Sequence, residues 1–78
     1  MKVRVFASLR ELAGSSSVEV DAHDVAGVLA AMSERFGPAF DRIMAAGSVV
    51  VNGERTAGNR AIGPADEVAL LPPVSGGR

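Results

Sequence analysis

The most hydrophobic stretch of the chain ends in two consecutive prolines, and the segment over residues 70–78 is LLPPVSGGR. Proline has no backbone N–H and restricts the residue before it to extended geometry. A strand or a helix that reached these prolines would therefore have to end. We predict a last strand that ends at Leu71, a folded domain over residues 1–71 and an extended C-terminal tail over residues 72–78.

The composition allows one small domain and argues against several classes of function. The chain has 78 residues, 47% of them hydrophobic, no cysteine, and eight Lys or Arg against nine Asp or Glu. Without cysteine there is no disulfide framework, no thiolate metal site and no cysteine nucleophile. The balanced charge, together with the lack of a signal-peptide pattern or an apolar run of about 20 residues, predicts a cytoplasmic protein that binds neither nucleic acid nor membrane.

The spacing of the apolar residues predicts an α+β fold. Strands are indicated by alternation in MKVRVFA, SSSVEVD and EVALL, and by the β-branched run of SVVVNGE, whose Asn-Gly pair favours a tight turn. Between them we predict one helical turn in SLRELAG, a main helix that Asp24 caps and a shorter helix in AFDRIMA. The stretch from Arg55 to Asp66 is interpreted as a loop, with a short strand or one helical turn within it as the alternative. One long helix among strands indicates a β-grasp arrangement, with a mixed sheet packed on that helix and the first and last strands paired at its centre.

The residues that usually carry catalysis are not arranged for it. His23 stands alone before the main helix and is interpreted as a solvated loop residue. Asp66 and Glu67 are adjacent, and on a strand they would lie on opposite faces, so they do not form an acid–base pair. We interpret them as part of a turn that leads into the last strand. The glycines lack the spacing of a phosphate-binding loop, and no histidine is placed to activate a serine. We predict no intrinsic catalytic residue, no metal and no permanently bound cofactor.

The tail is the candidate for function. Val74 and Ser75 lead to Gly76 and Gly77, whose lack of side chains suits a narrow channel. From Leu71 an extended chain reaches roughly 20 Å to the second glycine. Such a segment is able to deliver a C-terminal carboxylate into another protein's active site. The alternative is an ordinary disordered terminus.

A second feature indicates a partner protein. In the predicted alternation, Phe6 and Leu71 point away from the core side of their strands, so neighbouring terminal strands would present an exposed apolar patch where the tail begins. Pro72 and Pro73 continue from this patch, and Arg10 is placed to supply a polar rim. The alternative is a second small core that loops cover.

Three segments together resemble a known family. VRVFASLRELAG, VVVNGE and DEVALLPPVSGG are similar, in order and spacing, to the small subunit of molybdopterin synthase, the MoaD-type sulfur carrier of the MoaD/ThiS family. The resemblance covers nearly the whole chain, and LPPVSGG after DEVA is its most specific part. That family has the β-grasp fold of ubiquitin, in agreement with the fold predicted from the spacing.

The resemblance implies a mechanism and a set of partners. A ubiquitin-activating-like adenylyltransferase of the MoeB/ThiF type uses ATP to adenylate the C-terminal glycine, which then becomes a thiocarboxylate. The large subunit, of the MoaE type, receives the tail, and the sulfur enters the dithiolene of molybdopterin. By position, Gly77 is the sulfur-bearing residue and Gly76 threads the channel, while Phe6, Arg10 and Leu71 match partner contacts.

One residue departs from the family pattern, because Arg78 follows the two glycines. Either a protease removes it, or it is foreign to the natural protein. Two other functions remain open. One is a sulfur carrier for thiamine thiazole or a natural product; the other is a ubiquitin-like protein modifier or a passive binding module.

Overall fold

The computed structural model describes residues 1–73. The predictions for Val74 to Arg78 lie outside the described residues. Within residues 1–73 the elements are β1 (Lys2–Val5), α1 (Ser8–Ala13), β2 (Ser17–Glu19), α2 (Val25–Phe36), α3 (Pro38–Met44), β3 (Ser48–Val51), β4 (Glu54–Thr56) and β5 (Val68–Leu71).

The strands form one mixed sheet in the order β2-β1-β5-β3-β4. The first and last strands are parallel neighbours at its centre, and the other pairs are antiparallel. This is the β-grasp arrangement that the sequence predicted. Since β5 is the central strand of the five, the chain leaves the sheet at Leu71, in the middle of the sheet and not at an edge.

One face of the sheet and the helices enclose the core. Alternate residues of the central strands point inward, and α2 contributes one apolar stripe, as its spacing predicted. Several of these side chains are almost completely buried: Val3, Val5, Val28, Met32, Val51, Val68 and Leu70. The strand residues between them point to the opposite face, which is called the open face below.

The N-terminus of α2 is closed by its own chain. Asp24 caps it by accepting a hydrogen bond from the Gly27 N–H at 2.7 Å, which confirms the predicted cap. Asn59 accepts from the Ala26 N–H at 2.8 Å and donates to the Asp24 carboxylate at 3.1 Å. The Asn59 hydrogen bond, and then that from Gly27, lower the pKa of Asp24 below its usual value. These helix N–H groups are therefore satisfied within the domain.

The Asn-Gly pair between β3 and β4 forms the turn that the sequence predicted. Asn52 and Gly53 have φ of 53° and 82°, the positive values that a type I′ hairpin turn requires. Arg55 and Thr56, at the start of the predicted loop, complete β4. The Asn52 side chain also donates to Asp66 at 2.9 Å; this bond, and then one from a backbone N–H, lower the pKa of Asp66.

Candidate functional site

An exposed apolar patch lies where the tail leaves the sheet. Val5 of β1 pairs with Leu70 of β5 in parallel register, so Phe6 and Leu71 follow side by side. Phe6 is 37% exposed, and among residues 1–73 it is the one large hydrophobic residue that is exposed. Leu71 is half-buried. The structure thus brings together the two residues of the predicted patch, called the Phe6–Leu71 patch below. Their role in binding stays a prediction.

Two arginines lie close to Phe6 along the chain. The guanidinium carbon of Arg4 is 5.7 Å from the centre of the Phe6 ring, a distance at which cation and ring attract each other. Arg10 is exposed on α1, and its backbone N–H donates to the Phe6 carbonyl at 3.4 Å. The predicted rim residue is therefore one helical turn from the patch.

The turn between Phe6 and α1 holds a residue in an unusual conformation. Ala7 has φ 50° and ψ −123°, and the Leu9 N–H donates to the Phe6 carbonyl at 3.0 Å. This is the geometry of a type II′ turn, whose first central position favours glycine. The alternation in MKVRVFA predicted a strand that includes Ala7, which is wrong, because β1 ends at Val5 and Ala7 is exposed. An alanine in this region costs about 1–3 kcal/mol, so the surrounding turn must hold it there.

The tail begins in a groove beside the patch. Pro72 is half-buried and Pro73 is exposed, and both line a groove of 470 Å³ on the open face with Ser48, Val50 and Arg55 among its other lining residues. The Arg55 guanidinium donates to the Ser48 hydroxyl at 2.7 Å, which fixes one wall of the groove. The prolines end the last strand, as the sequence predicted, and start the tail along this groove.

A glycine lies against the backbone from which the tail departs, and sequence reasoning missed it. A Cβ on Gly47 would lie 2.6 Å from the carbonyl oxygen of Leu71 and 3.0 Å from the Met44 sulfur. The next residue, Ser48, pairs with Leu71 in the last register position before the prolines. Only glycine lets the α3–β3 turn approach the strand end this closely.

We expect the substitution Gly47→Ala to destabilise the domain by about 1–3 kcal/mol, the usual cost of forcing extra atoms into a packed site. The matched control is Gly63→Ala, because a Cβ at that position meets nothing within 4 Å. The free energy of unfolding in denaturant measures both variants. Equal stability of the two would show that the α3–β3 turn yields freely and does not fix the strand end.

The described residues contain few groups for chemistry. Across residues 1–73 no cluster of three or more His, Asp or Glu side chains is able to hold a metal ion. Nor does any helix in this part have the length and apolar character needed to cross a membrane. His23 is exposed, as predicted, and Asp66 is engaged by Asn52 and the Gly63 N–H. What residues 1–73 offer is an exposed apolar side chain, Phe6, close to the start of the tail.

The fold and the family comparison define the class of protein. The chain is a ubiquitin-like β-grasp protein, and it belongs to the ThiS family, whose profile matches residues 3–77. The resemblance to MoaD/ThiS-type carriers is therefore confirmed. The Small archaeal modifier protein 1 of Haloferax volcanii is 39% identical over 91 residues, covering 99% of this chain and 100% of that protein.

Solved structures agree with this assignment. The small archaeal modifier protein 1 from Methanosarcina acetivorans superimposes with a TM-score of 0.83 at 26% identity, covering 97% of this chain and 94% of that one. A putative molybdopterin converting factor, subunit 1, from Pyrococcus furiosus gives a TM-score of 0.78 at 26% identity, covering 94% and 95%. The proteins to which this chain is similar thus include proteins named as modifiers and one named as a molybdopterin converting factor.

Proposed function

We propose that this chain is a sulfur carrier whose C-terminal glycine, Gly77, is adenylated and converted to a thiocarboxylate. The observation that carries the proposal is the exposed Phe6–Leu71 patch at the start of a tail with the Gly-Gly ending of the family. The patch gives an activating enzyme a place to bind. The tail then spans the roughly 20 Å from that surface to the reacting atoms.

The chemistry takes place on the partner, and the chain supplies the carboxylate. The Gly77 carboxylate attacks the α-phosphorus of ATP and pyrophosphate leaves, which gives an acyl adenylate. A persulfide sulfur on the enzyme side attacks the carbonyl carbon and AMP leaves. Cleavage of the resulting S–S bond by a thiol releases the thiocarboxylate. Gly76, Ser75 and Val74 thread the channel. Where Arg78 belongs to the natural chain, a protease must first remove it, because its peptide bond occupies the Gly77 carboxyl group.

For the sulfur acceptor we propose the molybdopterin precursor, bound by a large subunit of the MoaE type. Support comes from the segments VRVFASLRELAG and DEVALLPPVSGG and from the likeness to the putative converting factor of Pyrococcus furiosus. In this pathway the small subunit presents its tail through the same surface, with Phe6, Arg10, Leu71, Pro72 and Pro73 as the contacts.

A second function is a protein modifier whose C-terminus is joined to lysine side chains. The specific observation in its favour is the 39% identity to the Small archaeal modifier protein 1 over 99% of this chain. Both functions begin with the same adenylation of Gly77. They differ in the nucleophile that ends on the activated Gly77 carbonyl, which is a sulfur in the first function and a lysine amine in the second.

The test follows the terminus through both reactions. The chain ending at Gly77 is incubated with the ubiquitin-activating-like enzyme of the same organism, ATP and a sulfur donor, and then with either the large subunit and its precursor or a mixture of lysine-containing proteins. Molybdopterin formation supports the first function, and isopeptide-linked products support the second. If mass spectrometry finds the terminus unmodified after the first incubation, both are wrong.

A further inference from the structure

Two arginines end a row of residues that crosses the open face. Arg4 of β1 pairs with Ala69 of β5, Ala69 pairs with Val50 of β3, and Val50 pairs with Arg55 of β4. Paired residues in neighbouring strands point to the same face. The row therefore places two small apolar side chains between two cations, directly beside the Phe6–Leu71 patch.

The spacing of this row is set by the sheet. Neighbouring strands lie about 4.8 Å apart, so three intervals put the backbones of Arg4 and Arg55 about 14 Å from each other. Both arginines are exposed, and each is held by a neighbour. Arg4 lies over the Phe6 ring at 5.7 Å, and Arg55 donates to the Ser48 hydroxyl at 2.7 Å.

Neither guanidinium is matched by a carboxylate among residues 1–73. The ion pair in this part of the chain joins the Met1 ammonium to Glu19 at 3.0 Å. Glu19 pairs with Lys2 at the other end of β1, far from the start of the tail. Asp66 and Glu67 line a pocket with Lys2 and Arg4 at the start of β5, away from the tail, but within residues 1–73 no carboxylate lies within 4 Å of either guanidinium. The part of the open face next to the tail is therefore apolar between two cations that no carboxylate of residues 1–73 pairs with.

We propose that this part of the open face binds an acidic protein surface. An apolar side chain of the partner would lie over Ala69 and Val50, and one carboxylate of the partner would pair with each of Arg4 and Arg55. The proposal rests on the proposed function, which identifies the partner as the activating enzyme. Arginine pairs with carboxylates through two parallel hydrogen bonds, so the two arginines would set the orientation of the chain as well as speed its association. The orientation matters because it aims the tail.

The test compares charge removal on and off this face. Arg4→Gln, Arg55→Gln and the double variant are titrated against the cognate activating enzyme at several salt concentrations. The matched control is Arg42→Gln, since Arg42 is exposed on α3, away from the open face. We expect each single variant to raise Kd roughly tenfold at low salt and the double variant roughly 100-fold, with a flatter salt dependence. Arg4→Lys and Arg55→Lys should fall between, because they keep the charge but lose the paired hydrogen bonds.

The result that overturns the proposal is a double variant that binds with the Kd and salt dependence of the Arg42→Gln control. Thermal melting of every variant shows that it is folded. If the unsubstituted chain fails to bind the enzyme, the proposed function is wrong, and this proposal falls with it. If sedimentation instead shows a dimer that the double variant abolishes, a second copy of this chain occupies the face and the proposal is wrong.

Discussion

The Phe6→Asp protein is expected to fold normally and to lose binding to its partners by roughly 100-fold, about 3 kcal/mol. Phe6 is exposed and lies outside the core, so its replacement removes little beyond the contact with Arg4, which is worth about 0.5–1 kcal/mol at an exposed site. In a complex, the new carboxylate would be buried in an apolar interface without a partner. Thermal melting and titration against the activating enzyme measure the two effects separately.

The matched control is Ala30→Asp, which adds the same charge at an exposed position of α2, on the helical side of the domain. It should leave the Kd unchanged. Two outcomes would contradict the prediction. Unfolding of the Phe6→Asp protein would show that the ring belongs to the core, and an unchanged Kd would show that partners bind elsewhere.

The second large effect is expected at the tail. Gly76→Val should leave the domain folded and slow the formation of the thiocarboxylate by roughly 100-fold, because a β-branched side chain widens the segment that enters the channel and displaces the reacting carboxylate. Intact mass at successive times of incubation with the activating enzyme, ATP and a sulfur donor measures the rate at which the thiocarboxylate forms. Gly76→Ala should be intermediate.

A control in the same segment is Val74→Thr, which keeps a branched side chain of nearly the same shape. It should react at the rate of the unsubstituted chain. Full sulfur transfer by the Gly76→Val protein would show that the channel is wide at this position, and the argument for two glycines without side chains would fail.

The sheet was predictable because its strands alternate clearly. Val3 and Val5 share a face in β1, as Val68 and Leu70 do in β5, and the burial of all four follows from that pattern alone. The end of β5 at Leu71 followed from the prolines, and the hairpin turn followed from Asn52 and Gly53.

Other features depend on contacts between distant parts of the chain, which no local pattern reveals. Gly47 had no local signal, because its requirement arises only when Leu71 lies beside it. Asn59 looked like an ordinary loop residue, and its role as a second cap of α2 depends on a contact with Ala26, 33 positions away in the chain. Ala7 is apolar and continues the alternation of β1, so the predicted strand extended past Val5, where the strand ends.

The candidate site could be predicted only in part, because some of its residues follow a local pattern and others depend on contacts between strands. Phe6 and Leu71 were found because they are apolar residues at outward-facing positions of the predicted alternation. The structure shows that the two strands, β1 and β5, are neighbours. Arg4 and Arg55 were not, because their relation appears only when four strands are in register.

The measurement that tests the central claim most directly is the intact mass of two forms of the chain after incubation with the activating enzyme, ATP and a sulfur donor. The form ending at Gly77 should become heavier by the mass difference between sulfur and oxygen, because one carboxylate oxygen is replaced by sulfur. The form ending at Arg78 should stay unchanged, because the extra residue moves the carboxylate by roughly 3.3 Å and places a charged guanidinium in the channel. Sulfur on Arg78, or none on the form ending at Gly77, would contradict the account.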